Sequence, residues 1–307
     1  MANTRSVDIL DVISISRLTK DYGNSKGIFD ISLNIKKGEV YGYLGPNGAG
    51  KSTTIRHLMG FSRPQSGTAR ILGLDCWKHQ KEIQKKVGYL PGEIAFPDDM
   101  TGLDYLRLIA AMRGMRDFSY AKVLLDYFDI NPDTGLKRMS KGMKQKIGIV
   151  SAFMHEPDIL LLDEPSSGLD PLMQSNFINL IEKVKSEGKT VILSSHIFEE
   201  VEKTCDRIGM IKDGRLIEEF TVDQLRHSKL KTYKIEFKSG EAIEQFSKIF
   251  PKSTSDKAKN QMVISISDSE INSLISHLSK YELLFLKEEK HTLEEYFMQL
   301  YGGEDNV

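Results

Sequence analysis

Gly45-Pro46-Asn47-Gly48-Ala49-Gly50-Lys51-Ser52-Thr53 is the stretch whose residue types and spacing point most directly to chemistry. Gly45 to Ser52 fits G-x-x-x-x-G-K-[ST], the pattern of a loop that cradles phosphate. Glycines let backbone N–H groups turn inward around phosphate oxygens, and a helix N-terminus behind them adds a dipole that favours anions. In such a loop Lys51 reaches the β and γ phosphates and the Ser52 hydroxyl ligates Mg²⁺. An ordinary glycine turn is the plainer reading, but strand-like residues precede the stretch (Glu39 to Leu44) and helix-like residues follow it (Thr53 to Met59).

Carboxylates belong near such a loop, and the chain supplies them at the end of an apolar run. Ile159-Leu160-Leu161-Leu162 leads into Asp163-Glu164, as a central parallel strand buried on both faces would. The C-terminal edge of an open α/β sheet is where ligands bind. Asp163 is therefore placed to hold Mg²⁺, often through water, and Glu164 to polarise a water attacking the γ phosphate. The alternative is a plain acidic cap on a strand end. Thr190 to Ser194 is a second buried strand with Ser195-His196 at its end. A lone histidine is usually structural, yet this one ends on the same sheet edge, where it can contact the γ phosphate. Met139-Ser140-Lys141-Gly142-Met143-Lys144-Gln145 opens a helix with Ser140 as N-cap. That stretch is either only a capped basic helix or, with Lys137, Arg138 and Lys146 nearby, a positive helix start suited to phosphate. Tyr22, in a polar turn, is placed either to stack on an adenine or to pack on its own hairpin.

The elements that must position these residues read as follows. Val12 to Leu18 and Ile28 to Ile35 form an antiparallel pair ahead of the loop strand. Thr68 to Leu72 is a strand, Trp77 to Lys86 a lysine-rich helix and Val87 to Leu90 a short strand. Gly102 to Phe153 turns helical, with Leu103, Leu106 and Ala110 on one face, so a helical block is inserted in an α/β domain. Leu172 to Ser186 is a helix, and Arg207 to Ile211 with Arg215 to Phe220 reads as a closing hairpin. Beyond about residue 226 come strand Thr232 to Phe237, helix Ala242 to Ile249, strand Met262 to Ser267, helix Ser269 to Leu278 and strand Leu283 to Lys287. A last helix opens with a capping box from Thr292 to Glu295. The expected division is a nucleotide-binding domain over 1–225, with its helical subdomain near 98–155, and a small α+β accessory domain over 226–307.

At 307 residues the chain has material for both. A formal net charge of −1 gives no global reason to expect nucleic acid or a polybasic membrane attachment, and no local basic patch suggests nucleic acid. Cys76 and Cys205 form no C-x-x-C or zinc spacing, which fits a reduced compartment. The polar stretch Met1 to Asp8 lacks a signal core and no apolar run is long enough to span a bilayer, so a soluble, cytoplasmic chain is expected. If it acts at a membrane, another polypeptide supplies the spanning helices.

With phosphate loop, capped basic helix, Asp-Glu strand and Ser-His strand in this order, Val12 to Leu225 resembles the ATPase subunit of an ATP-binding cassette (ABC) transporter. The resemblance identifies Gly45 to Thr53 with the Walker A loop and Ile159 to Asp163 with Walker B. It identifies Glu164 with the catalytic glutamate, Ser166 to Asp170 with the D-loop, His196 with the switch histidine and Tyr22 with the adenine-stacking aromatic. Met139 to Gln145 is similar to the family's Leu-Ser-Gly-Gly-Gln signature, keeping Ser140 and Gly142 but carrying Lys141 and Met143. The family implies that Ser140 and the Gly142 backbone reach ATP held by a second subunit, in a homodimer that works with integral-membrane permease subunits at the cytoplasmic face. The Ser-Lys-Gly-Met-Lys-Gln variant is similar to the bacterial antibiotic-export branch. The family glutamine after Tyr-Leu-Pro is replaced by Gly92, followed by Glu93; Glu93 either substitutes for it at Mg²⁺ or is a solvated loop residue. The implied fold is a P-loop α/β ATPase with a mixed sheet, an antiparallel β subdomain and an inserted helical subdomain; ATP and Mg²⁺ are the implied cofactors. A soluble cassette ATPase acting on ribosomes or nucleic acid is the rival reading.

Overall fold

The structure, a computed structural model, describes residues 11–226, 231–250, 253–256 and 258–289, with 293, 294 and 297 besides. The chain divides into two compact units, Met1–Phe220 and Thr221–Val307.

In the first unit, β1 (Asp11–Asp21) and β2 (Gly27–Lys36) bury alternate aliphatics, Ile13 and Ile15 on one and Ile31, Leu33 and Ile35 on the other. That period of two makes a sheet with one covered face. Next come β3 (Val40–Leu44), α1 (Lys51–Leu58), β4 (Ser66–Ile71), β5 (Leu74–Asp75), α2 (Gln80–Lys86) and β6 (Val87–Leu90). Three helices are inserted here, α3 (Gly102–Arg113), α4 (Ser119–Tyr127) and α5 (Lys141–Phe153). The unit closes with β7 (Ile159–Asp163), α6 (Pro171–Ser186), β8 (Thr190–Ser195), α7 (Phe198–Thr204), β9 (Arg207–Lys212) and β10 (Arg215–Thr221).

Two sheets result. The first has the order β2-β1-β4-β5 and is antiparallel; the early hairpin belongs to it and is not paired with β3. The second has the order β10-β9-β3-β8-β7-β6, with parallel pairing from β9 through β6. Every residue of β3, β7 and β8 is buried, as strands covered on both faces require. Ile13, Ile15, Ile31 and Leu33 share one apolar cluster with Tyr41, Tyr43, Leu161 and Ile192, so the sheets face each other across a common core. Parallel register then sets Leu44 opposite Ser195 and Asp163 opposite Ser194. Whatever follows β3, β7 and β8 must emerge on one edge.

The helical block is cut by local chemistry. Thr101 and Asp104 close a capping box at the start of α3, and Gly114, at φ 68°, ends it. The helix expected from Trp77 begins only at Gln80. Asp75 Oδ1 accepts from the backbone N–H of Trp77 and of Lys78, at 3.1 and 3.0 Å, and holds the chain in a turn instead.

The second unit contains α8 (Val222–Arg226), β11 (Lys231–Phe237), α9 (Gly240–Ile249), β12 (Thr254–Asp256), β13 (Gln261–Ile266), α10 (Ile271–Leu278) and β14 (Leu283–Glu289). Its antiparallel sheet has the order β12-β13-β11-β14. Ile235, Phe237, Phe246, Met262, Ile264 and Leu274 form a core of its own. The expected helix Ser269 to Leu278 starts as a 3₁₀ turn over Asp268–Glu270, and β12, three exposed residues without apolar alternation, is a strand that the sequence pattern does not predict. The capping box at Thr292 to Glu295 lies outside the described residues.

Candidate functional site

The loop after β3 is shaped by what cannot fit. A Cβ on Gly45 would stand 2.3 Å from the Ile211 carbonyl oxygen, and one on Gly50, at φ 112°, would stand 2.8 Å from Ile28 Cγ2. Only glycine satisfies both positions. Lys51 opens α1 and is buried, yet its ammonium turns back over the loop, donating to the Gly45 carbonyl at 2.6 Å and the Pro46 carbonyl at 3.3 Å. A glycine-rich loop, the helix start and this lysine are the parts of an anion cradle.

Across the sheet edge, Asp163 is 3% exposed and its Oδ1 accepts from Ser194 Oγ at 2.5 Å. Glu164 sits at φ 49°, left-handed backbone that non-glycine residues seldom adopt. Its N–H donates to the Ser194 carbonyl at 3.0 Å and to Ser194 Oγ at 3.1 Å, which fixes the turn. So held, the Glu164 carboxylate lies 3.3 Å from Lys51 Nζ through Oε1 and hydrogen-bonds His196 Nδ1 through Oε2. The expected trio of Lys51, Glu164 and His196 is one connected group. Around it opens a cleft of about 650 Å³ whose walls include Asn47, Ser52, Gly92, Glu93, Asp163 and Glu164. Gly92 passes so close that a Cβ there would meet Asp163 Oδ2 at 3.2 Å. Glu93 is exposed on the same wall.

Ser140 caps α5, accepting from the Met143 N–H at 3.2 Å, as the sequence predicts. The start of that helix is pressed on the loop after β7: a Cβ on Gly142 would lie 2.5 Å from the Gly168 carbonyl oxygen. Lys141 Nζ donates to Ser167 Oγ at 3.0 Å, and buried Gln145 donates through Nε2 to the Glu164 and Pro165 carbonyls at 3.2 and 2.8 Å. Lys141, Lys144 and Gln145 line the cleft, whereas Ser140, Gly142 and Tyr22 are not among its walls. Tyr22 is 57% exposed, with its hydroxyl 3.4 Å from Ser62 Oγ and Lys20 Nζ 5.6 Å from its ring centre. Sequence alone offers no role for Gln145, Ser194 or Glu200, since Gln145 bonds the Glu164 carbonyl, Ser194 the Glu164 N–H and Glu200 the Ser166 hydroxyl, each across elements remote along the chain; only the Gln position within the basic helix start carries a signal.

Burial pushes the Cys76 and Cys205 thiols up to about 12, so both are inert at neutral pH. Among the described residues no group of three or more His, Cys, Asp or Glu side chains is gathered to hold a metal unaided, and no helix is long and apolar enough to cross a membrane.

The ABC transporter family profile matches residues 28–167. The bacitracin transport ATP-binding protein BcrA of Bacillus licheniformis is 37% identical over 218 residues, covering 70% of this chain and 71% of that protein. Its Enterococcus faecalis namesake is 32% identical over 301 residues, covering 95% of this chain and 97% of the other. A solved ATP-binding subunit of an ABC transporter superposes with a TM-score of 0.64 at 31% identity, over 70% of this chain and 92% of that one. Likeness that runs almost end to end in one relative, and a family profile that spans both the loop and the acidic strand, make the chain a member of the ABC transporter family, as an ATP-binding and ATP-hydrolysing subunit.

Proposed function

We propose that this subunit energises export of an antibiotic-like compound by separate integral-membrane permease subunits, through ATP-driven closure of a homodimer. The observation that carries the reading is the Lys51–Glu164–His196 group at the mouth of the phosphate loop. Each ATP is bound by the loop Gly45 to Thr53 of one chain, with Tyr22 against the adenine, and is covered by Ser140 and the Gly142 backbone of the other. The basic, capped start of α5 supports that role, since its N-terminus favours anions.

Within a site, Lys51 exchanges the Gly45 carbonyl and the Glu164 carboxylate for phosphate oxygens. That exchange leaves Glu164 free to orient the attacking water, with His196 facing the γ phosphate. The donors available for Mg²⁺ are all oxygens: the Ser52 hydroxyl, the buried Asp163 carboxylate oriented by Ser194, and Glu93 in place of the family glutamine. Such a set fits a hard cation that keeps waters and takes few protein ligands. When bound, Mg²⁺ neutralises charge on the β and γ phosphates. Glu93→Ala is expected to weaken the Mg²⁺ dependence of turnover, and an unchanged Mg²⁺ titration would remove Glu93 from the set.

The relatives named for bacitracin transport, one of them similar over nearly the full chain, support a membrane partner and a cytoplasmic-face location. The rival task on ribosomes or nucleic acid gains no support from the overall charge, which is −1. The test is purification of tagged Glu164→Gln protein with ATP and Mg²⁺ in mild detergent, followed by mass spectrometry and sizing. A nucleotide-dependent dimer with a stoichiometric polytopic membrane protein is expected. A monomer under all conditions, or ribosomal proteins alone, contradicts the reading.

A further inference from the structure

Behind the Glu164–His196 pair lies a second carboxyl group that the site described above does not use. Glu200, on α7, is 2% exposed. Its Oε2 accepts from Ser166 Oγ at 2.9 Å and from Ser195 Oγ at 2.6 Å. Both serines are themselves buried, and Ser195 Oγ also accepts from the Ile197 N–H at 3.0 Å. Ser166 is two residues past Glu164 in the loop after β7, and Ser195 directly precedes His196 at the end of β8. One buried oxygen therefore joins the turn carrying Glu164 to the turn carrying His196. Glu200 Oε1 has no hydrogen-bond partner among the described residues.

Isolation of a carboxyl group in this way is costly unless the geometry it fixes is worth holding. A merely structural role could be met by an apolar side chain of similar volume. Two hydroxyl donors on a single acceptor, each one turn from a reacting side chain, are instead what a brace for the Glu164–His196 distance requires. Titratable groups face Glu200 from several elements: Glu164 from the end of β7, His196 from the turn after β8, and the neutral Cys205 thiol beyond α7. Glu199 and Lys203 of α7 line the small hollow beside it, where α6 contributes only uncharged residues such as Gln174 and Ser175.

We propose that Glu200 is a positioning residue for ATP hydrolysis, bracing the loop of Ser166 against the turn of His196 so that Glu164 and His196 stay in register. The inference deepens the roles proposed for Glu164 and His196 and rests on them. Glu200→Gln keeps an acceptor oxygen, Glu200→Leu keeps the volume and removes the acceptor, and Ser166→Ala with Ser195→Ala removes both donors while leaving Glu200 intact.

The measurement is steady-state ATPase of the full chain, with circular dichroism and thermal melts to confirm folding and Glu164→Gln as the reference. Glu200→Leu and the double serine variant are expected to lose roughly tenfold or more in kcat, with KM for ATP within about threefold. Glu200→Gln is expected to retain most of kcat. Should Glu200→Leu prove unfolded, the double serine variant carries the same comparison. Full turnover in folded Glu200→Leu or in the double serine variant, beside an inactive Glu164→Gln, refutes the brace alone. A Glu200→Gln protein as slow as Glu200→Leu also refutes it, because the acceptor is then not what matters. An active Glu164→Gln defeats the underlying site assignment instead.

Discussion

Glu164 combines three constraints that a single substitution can separate: a left-handed backbone, a salt bridge to Lys51 and a hydrogen bond to His196. Glu164→Gln keeps the turn and the size, so ATP should still bind while hydrolysis falls by roughly a hundredfold or more. Equilibrium nucleotide binding and single-turnover hydrolysis measured side by side check this, and equal loss in both would place the residue in binding. Glu200 offers a pH signature at the same scale. Burial, with the nearby Glu164 charge adding to it, raises its carboxyl from an ordinary 4.5 to about 7, against the hydrogen bonds from Ser195 and Ser166. Between those values the folded chain holds a proton that the unfolded chain has released, so this group makes stability fall as pH rises through the window. Glutamine does not titrate. The melting temperature of Glu200→Gln minus that of the parent should therefore grow from about pH 5 to about pH 8, and a constant difference would show that Glu200 does not titrate there.

Among the elements, α5 and the loop after β7 are fitted closely enough for one methyl group to matter. Gly142→Ala places a Cβ 2.5 Å from the Gly168 carbonyl oxygen, and backbone cannot yield as a flexible side-chain end can. A destabilisation of about 1–3 kcal/mol is expected, read from urea unfolding, together with reduced turnover. Gly142 thus has a requirement within its own chain, besides any contact with a second subunit. The same contrast explains what the sequence revealed. The loop from Gly45 to Ser52 was legible because its chemistry is local, and Asp163-Glu164 because an all-apolar run signals a strand buried on both faces. Ser140 was legible as a cap for the same short-range reason. Gln145, Ser194 and Glu200 were not, since each acts through partners about 20 or more residues away, or through two turns at once, that only the folded sheet brings near. The missed turn at Trp77 and Lys78 came from one aspartate competing with a helical pattern for backbone N–H groups.

For the whole molecule, two units with separate cores should tolerate separation. A chain ending after Leu225 is expected to keep a cooperative melt and nucleotide binding; loss of the melt would show that the first unit's core depends on the second. Dimer formation and ATPase of the same protein then report what the second unit adds. The order of strands in the larger sheet has a further consequence, in time rather than in space. Among the described residues β3, which carries the phosphate loop, pairs as a strand only with β8 and β9, both from the far half of the chain. Such non-local parallel pairing closes slowly. A nascent chain that has already displayed Gly45 to Ser52 is therefore expected to hold that loop in place only once the ribosome has delivered residues through Lys212, and fragments ending before β8 should bind no nucleotide in an equilibrium assay.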